Sequence, residues 1–316
     1  MTCLICHVSY KTGYLTGWSY ILNCILTLSA IILNSIEIHI LRKRRDKKPY
    51  EKMLLSLSTC DLSYQLSDFI FLSIIAYAVV KDDYTLSSTL WLAWGCICVL
   101  MAVISLLNLI FISVDRVWAV TAPFHHLSFV SGRKVLAAIV IAWCLPLLML
   151  TLFIIQIIQS DSSIERINYI TKEPTKVLAA FMLATHIAFL ISSTVTIWTV
   201  FKSKSAQALT SSCPLTSQKP FISHNLSQQS HCLIICVGTI LSFIVSSSPF
   251  IISQLVTWNT PLWLEDLGYT MFSFNAVLNS AIFLIQNYRN EKRKMKSRKS
   301  TTQELIIENK LKESAV

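Results

Sequence analysis

The sequence predicts an all-α membrane protein whose core is a seven-transmembrane helix bundle. Seven long apolar stretches, a low content of charged residues and an uneven distribution of Lys and Arg support this prediction. Of the 316 residues, 53% are hydrophobic and 14% are charged, whereas soluble domains carry about 25% charged residues. The chain also lacks Gly-rich nucleotide loops and the HExxH metalloprotease motif. We therefore expect no enzyme and no cofactor of those classes.

Each apolar stretch is long enough to cross a bilayer, which takes about 20 residues. Because lipid offers the backbone no hydrogen-bond partner, each stretch is predicted to be helical. A soluble helical protein is the alternative, but seven runs of this length argue against it. The Ser- and Gln-rich loop 202–230 is predicted to be flexible. The predicted spans cover residues 18–41, 53–80, 90–118, 135–158, 176–201, 231–256 and 262–286.

The basic residues predict the orientation of the chain in the membrane. One side holds 22 Lys and Arg and the other holds five, and the richer side is normally cytoplasmic. We therefore expect a multi-pass plasma-membrane protein with a short extracellular N-terminus (1–17), a seven-transmembrane domain (18–288) and a cytoplasmic tail (289–316). On this interpretation the net charge of +10 marks a cytoplasmic face rather than a nucleic-acid-binding surface.

Polar side chains from four spans are predicted to lie at one depth in the membrane, counted at about 1.5 Å per residue from the cytoplasmic end. One is a carboxylate and the others are neutral, as a buried cation site or a hydrogen-bond network requires. Unrelated helix–helix hydrogen bonds, each contributing about 1 kcal/mol, are the other interpretation. The residues alone leave both open. The set comprises Asn34, Asp61, Ser105, Asn275 and Asn279.

A tripeptide, Asp115-Arg116-Val117, ends the third span on its predicted cytoplasmic side. With this motif at that place, the chain resembles the rhodopsin-like (class A) G-protein-coupled receptors over residues 18–300. The match extends to single residues of the other spans. These are Asn34, Leu57 with Asp61, Trp143, Pro146, Phe243, Pro249, the segment Asn279 to Phe283, and Tyr288-Arg289.

The resemblance implies a conformational mechanism in which an extracellular ligand moves helix six outward on the cytoplasmic side. Its partners would be a heterotrimeric G protein, and also arrestin and a receptor kinase. It implies an allosteric Na⁺ bound by Asp61, Ser105, Asn275 and Asn279, with Asn34 bracing that site, and no other cofactor. The implied coupling and activation switch comprises Asp115, Arg116, Val117, Pro123, Phe124, Phe243, Pro249, Asn279 and Phe283.

The chain departs from the family pattern in several places. Ser247 replaces the helix-six Trp, Ser280 the helix-seven Pro, and Phe283 the helix-seven Tyr. Trp91 stands where the family has a disulfide-forming Cys, and residues 159–175 hold no partner Cys. Because helix six lacks an acid at its cytoplasmic end, Asp115 is the predicted sole partner of Arg116. A receptor-like protein that binds ligand without signalling, or a small transporter, is therefore the alternative.

The resemblance also implies a ligand pocket near the extracellular side. Cys98 stands where amine receptors have Asp, and span 262–286 has no Lys to hold retinal, so neither ligand is expected. Asp68 either contacts a cationic ligand or is a solvated structural acid, and His186 is a ligand contact or a hydrogen-bonded core residue. The candidate pocket residues are Asp68, Cys98, Ala102, His186, Phe250, Gln254, Glu265 and Tyr269.

The segment Arg289–Lys299 is strongly basic and predicts a short amphipathic helix eight on the inner membrane surface. Each Lys or Arg near anionic lipid contributes about 1 kcal/mol to such binding, so membrane lipid is an expected partner. Pairing among Cys3, Cys6 and Cys96 stays open.

Overall fold

A computed structural model describes residues 13–44, 47–81, 84–122, 125–126, 130–159, 180–195, 197–199, 219–255, 267–268, 270–292 and 295. Within these ranges the backbone forms seven long helices, in agreement with the predicted bundle. They are α1 Gly13–Lys43, α2 Pro49–Val80, α3 Tyr84–Thr121, α4 Gly132–Gln159, α5 Ala180–Thr199, α6 Lys219–Leu255, and α7, residues 267–292 without 269.

The predicted loop 202–230 is wrong in its second half, because α6 begins at Lys219 and includes residues 219–230. Pro220 lies in the first turn, where it is tolerated, and neither Gly nor Pro interrupts the polar residues that follow. Hydropathy marks where a helix leaves the membrane rather than where it ends. Residues 202–218 lie outside the described part of the chain.

The predicted helix eight is not separated from α7, which continues past Tyr288 and Arg289 to residue 292. Beyond that point the structure describes only residue 295, so helix eight stays a prediction.

Four described helices are long and apolar enough to cross a membrane, namely Tyr20–Lys43, Cys96–Ala119, Gly132–Leu152 and Ala180–Thr199. A shorter apolar segment, Val237–Ser253, lies within α6. The polar content of α2, which includes Asp61, Asp68 and several serines, lowers its hydropathy. The two acids are buried in the bundle, where intramembrane charges normally face.

The bundle is apolar outside and partly polar inside, which suits a lipid environment. On α1, Ile25, Leu28, Ile32 and Ile36 are exposed at intervals of three or four residues and therefore lie on one face. Asn34, on the opposite side of the same helix, is fully buried. An exposed apolar face with a buried polar one is the reverse of a soluble helix.

Helix α3 lies at the centre, where it packs against α2, α4 and α6, while α1 packs against α2. The largest core cluster joins Leu57 of α2, Leu109 of α3, Phe243 of α6 and Phe283 of α7. Trp143 of α4 donates a hydrogen bond from Nε1 to Ser56 Oγ of α2 at 3.0 Å. These contacts fix the helices on which the predicted site residues lie.

Candidate functional site

The end of α3 carries a compact charged group, and we call this end of the bundle the Arg116 end. The guanidinium of Arg116 donates to Asp115 Oδ2, forming an ion pair. His126, in the segment after α3, donates from Nε2 to Asp115 Oδ1 at 2.8 Å. The carboxylate therefore holds a different partner on each of its oxygens.

The expectation that Asp115 alone holds Arg116 is wrong. The guanidinium also lies over the ring of Tyr50 at the start of α2, 4.8 Å from its centroid, where a cation and an aromatic face attract each other. Sequence reasoning missed Tyr50 and His126, because both contacts bring together segments from different helices and loops. Val117 faces a groove between α3 and α5, while Pro123 and Phe124 lie outside the described residues.

The predicted switch residue Phe243 is buried in the middle of α6 and meets two residues of α5. Its ring lies 5.5 Å from the ring of His186 and 6.5 Å from that of Phe189, centroid to centroid. His186 also contacts Ser247, with 2.7 Å between Nε2 and Oγ. His186 is thus a hydrogen-bonded residue between α5 and α6, as the core interpretation predicts, and a ligand contact stays a prediction.

Three serines precede Pro249 in α6 and alter the hydrogen bonding of that helix. The hydroxyls of Ser246, Ser247 and Ser248 donate to the carbonyls four residues earlier, at 2.5 to 2.6 Å. Such bonds favour helix bending, and Pro249 itself cannot donate to the carbonyl of Val245. This part of α6 is therefore suited to act as a bend point.

At the Arg116 end, Phe283 of α7 lies beneath another arginine. The guanidinium of Arg44 is 5.9 Å from the centroid of the Phe283 ring and forms an ion pair with Glu51. It also donates to Asn287 Oδ1. Arg44 thus joins the ends of α1, α2 and α7 at the place where the family has its helix-seven Tyr.

The structure brings together three of the five polar residues predicted at one depth. Ser105 Oγ donates to Asp61 Oδ1 at 3.1 Å, and Asn279 Nδ2 donates to Asp61 Oδ2 at 3.2 Å. The carboxylate therefore connects α2 to α3 and α7. No basic residue in the described part of the chain forms an ion pair with it.

The other two members of this set lie beside it without touching Asp61 in hydrogen-bond geometry. Asn275 Oδ1 accepts from Ser242 Oγ of α6 at 2.9 Å. Asn34 Nδ2 donates to the Ala30 carbonyl at 2.9 Å and reaches the Ala276 carbonyl of α7 at 3.5 Å. Asn34 therefore connects α1 to α7, and its role in bracing a Na⁺ site stays a prediction.

Several buried oxygens around this set have no hydrogen-bond partner. They include Oδ1 of Asn34 and Oδ1 of Asn279. A buried polar atom that is left unpaired costs about 1–3 kcal/mol, so these atoms are suited to meet a ligand. A carboxylate with neutral oxygen donors fits the chemistry of Na⁺. Asp61, Ser105 and Asn279 would hold such an ion, which would neutralise the buried charge.

The second intramembrane acid, Asp68, is buried and accepts three hydrogen bonds. Its oxygens receive them from Trp94 Nε1 at 2.9 Å, Thr27 Oγ1 at 3.0 Å and Asn23 Nδ2 at 3.2 Å. The carboxylate therefore fastens α2 to α1 and α3. These contacts are those of a structural acid, although not of a solvated one, and a direct ligand contact stays a prediction.

The remaining candidate pocket residues are only partly described. Cys98 and Phe250 are buried, Ala102 is half-buried, and the Phe250 ring lies 5.5 Å from that of Phe272 of α7, centroid to centroid. Among the cysteines that the structure describes, Cys96 is free. Residues outside the description are Cys3, Cys6, Glu265, Tyr269 and the side chain of Gln254.

The chain matches a protein-family model, and its structure is similar to a solved structure. A family model described as "7 transmembrane receptor (rhodopsin family)" matches residues 34–282. The structure is similar to the crystal structure of squid rhodopsin, with a TM-score of 0.65 and 16% sequence identity. That match covers 84% of this chain and 80% of the squid protein, and at this identity it shows the shared fold. No curated protein matches the chain.

Proposed function

The chain belongs to the rhodopsin family of seven-transmembrane receptors, and on this premise we propose that it transmits an extracellular signal to heterotrimeric G proteins. The observation that supports the proposal is the Asp115–Arg116 pair at the end of α3. The pair lies among the basic ends of neighbouring helices, including Arg44, Lys48 and Arg133. Members of this family are receptors, so the mechanism is conformational rather than catalytic.

In the resting arrangement Arg116 is held by contacts that can be exchanged for others. The guanidinium pairs with Asp115, which is buried, and lies over Tyr50, which is half-buried. When α6 moves away, Arg116 becomes available to backbone carbonyls of a G protein, which accept from a guanidinium.

The structural basis for movement of α6 is the bend point formed by the serine run and Pro249. Beyond the bend, α6 continues from Ser246 through Phe243 to Lys219, a lever of about 40 Å at 1.5 Å per residue. A ligand that favours a different packing around Phe250 would shift the population of these two arrangements. A small rearrangement at the ligand side then becomes a large displacement at the Arg116 end.

A Na⁺ ion at Asp61 is the second part of the proposal. Because Asp61 links α2, α3 and α7, an ion there would stabilise the resting packing more than a packing in which these helices separate. By linkage, any ligand that favours the second packing would weaken Na⁺ binding by the same factor.

We further propose a plasma-membrane receptor with residues 1–17 outside and the Arg116 end in the cytoplasm. The ligand is neither retinal nor a bioamine. Span 262–286 has no Lys to bind retinal, and Cys98 stands where amine receptors have Asp. Arrestin, a receptor kinase and anionic lipid are the remaining proposed cytoplasmic partners, through the basic tail after residue 288.

The proposal is tested by expressing the chain with sensors that report dissociation of each G-protein class. The wild type should give a basal or ligand-evoked signal that disappears in Arg116→Ala at equal surface expression. Leu136→Ala, a change at an exposed residue near the start of α4, should leave the signal unchanged. A signal that persists in Arg116→Ala would contradict the proposal, and electrogenic ion flux in liposomes would support a transporter instead.

A further inference from the structure

A third buried acid, Glu37 of α1, lies beside the Asp61 site. Asn34 reaches the Ala276 carbonyl of α7, which aligns these two residues. Arg44 and Phe283, further along the same two helices, also meet, so α1 and α7 run in the same direction. Glu37 and Asn279 each lie three residues after the aligned pair, and they are therefore level along the bundle.

The surroundings of Glu37 are polar but contain no positive charge. The side chain is buried, with 3% of the residue exposed, and its carboxylate interacts with the hydroxyls of Ser58 and Ser280. Glu37 lies close enough to Asp61 for the two carboxylates to repel each other when both are ionised. Among the described residues, no Lys, Arg or His forms an ion pair with either acid.

Two carboxylates that are buried in the same part of the bundle without a cation are strongly unfavourable. Removing each charge from water costs several kcal/mol, and only an opposite charge with good geometry offsets that cost. Either the two acids share a bound cation, or at least one of them stays neutral. The other atoms nearby distinguish these possibilities.

The remaining polar atoms form a set of neutral oxygen donors. Oδ1 of Asn34 and Oδ1 of Asn279 are buried and have no partner in hydrogen-bond geometry, and the Ser280 hydroxyl faces Glu37. No third acid and no His or Cys completes a metal-binding group with these two acids in the described part of the chain. Carboxylate and amide oxygens without nitrogen or thiolate suit Ca²⁺, which takes six to eight oxygens in flexible geometry. Mg²⁺ is less suited, because it is smaller, requires a nearly octahedral shell and gives up its water reluctantly.

We propose that Glu37 and Asp61 together bind one divalent cation with the preferences of Ca²⁺, with Asn34, Asn279 and Ser280 as neutral ligands. The proposal builds on the cation site at Asp61, and Glu37 changes the charge of that site from −1 to −2. A monovalent ion would leave one of these charges unpaired. The presence of Ser280 in place of Pro gives α7 the hydroxyl that faces Glu37.

The experiment measures the thermal unfolding midpoint of the full chain in detergent, with choline as the background cation and a chelator present. Separate titrations then add CaCl₂, MgCl₂ or NaCl. For the wild type we expect 10 mM Ca²⁺ to raise the midpoint by about 3 °C or more, and Na⁺ at the same ionic strength to raise it less. A radiolabelled ⁴⁵Ca²⁺ binding measurement should give one ion per chain.

Variants separate this inference from the Na⁺ proposal. Glu37→Gln should lose the Ca²⁺ shift and ⁴⁵Ca²⁺ binding while it keeps a Na⁺ response, whereas Asp61→Asn should lose both responses. Glu37→Asp should bind ⁴⁵Ca²⁺ more weakly, because the carboxylate is kept on a shorter side chain. Asp68→Asn is the matched control, since that buried acid already has three donors, and it should keep the Ca²⁺ shift.

Three outcomes would overturn the inference. A wild type that responds to Na⁺ but not to Ca²⁺ would leave the Asp61 site intact and remove Glu37 from it. A Ca²⁺ shift that survives in Glu37→Gln would place the ion elsewhere. A wild type that responds to no cation would mean that the acids are neutral, and the Na⁺ proposal would fail as well.

Discussion

The imidazole of His186 lies 2.7 Å from the hydroxyl of Ser247, Nε2 to Oγ, and this contact joins α5 to α6 where the family has a Trp. The other ring nitrogen, Nδ1, lies 2.5 Å from the Met182 carbonyl, which can only accept. A neutral ring with its proton on Nδ1 therefore donates to Met182, and the single proton of the Ser247 hydroxyl is shared between Nε2 of His186 and the Phe243 carbonyl. A polar link thus replaces an aromatic side chain at the centre of the bundle.

Ser247→Ala should lower the stability of the receptor, because Nε2 of buried His186 would lose its partner. We expect a loss of about 1–3 kcal/mol in the free energy of unfolding, measured as a lower unfolding midpoint in lipid nanodiscs. Ser248→Ala is the matched control, since its hydroxyl makes the same bond within α6 and is not hydrogen-bonded to the described residues of α5. Equal midpoints for the two variants would argue against a stabilising link.

Replacing His126 should raise basal signalling. Without Nε2 of His126, the Asp115 carboxylate loses the partner on its Oδ1 atom and holds Arg116 less firmly. A lost hydrogen bond of about 0.5–1.5 kcal/mol corresponds to roughly a 2- to 10-fold rise in the active population. G-protein sensor output per receptor at the cell surface should therefore increase in His126→Ala. If basal output is unchanged or lower, His126 does not restrain Arg116.

The contacts of Asp68 predict a loss of stability when Trp94 is changed. Trp94→Phe keeps most of the buried ring but removes the Nε1 donor to Asp68 Oδ1, and a hydrogen bond to a charged group contributes about 1.5–3 kcal/mol. The unfolding midpoint should fall by several degrees. Ser73→Ala, on an exposed face of the same α2 helix as Asp68, should leave it unchanged.

Asp68→Asn should lower the midpoint as well, because an amide can accept on one atom only. Its Nδ2 group would face the donors Thr27 and Asn23. Ligand potency can be measured once a ligand is known. If this variant kept full potency, the structural role of Asp68 would be sufficient to explain why the acid is buried there. A change in potency without any change in the midpoint would instead support direct ligand contact.

Much of the fold follows from the sequence, because a transmembrane span is marked by a continuous run of apolar residues. The described part of each predicted stretch lies on one helix, and residue depth at about 1.5 Å per residue is enough to predict that Asp61 lies near Ser105 and Asn279. Where a helix extends beyond the membrane into polar sequence, hydropathy does not mark its end. The start of α6 at Lys219 was therefore missed, since residues 219–230 are polar but helical.

The lateral contacts of the site could not be predicted in this way. Depth does not say how a helix is rotated, so Asn275 was grouped with Asp61 although it pairs with Ser242 of α6. Glu37 lies level with Asp61 only because α1 is aligned with α7 through Asn34. Such alignments depend on packing between distant segments, which a single sequence does not reveal.

The most direct test of the central claim uses a receptor that needs no ligand. Purified Asp115→Asn, which frees Arg116 from its ion pair, is mixed with heterotrimeric G proteins of each class, and the rate of GTPγS binding is measured. We expect Asp115→Asn to exchange nucleotide faster than the wild type with at least one class. The double variant Asp115→Asn/Arg116→Ala should then fall to the rate without receptor. Equal rates for the single and double variants would contradict coupling through Arg116.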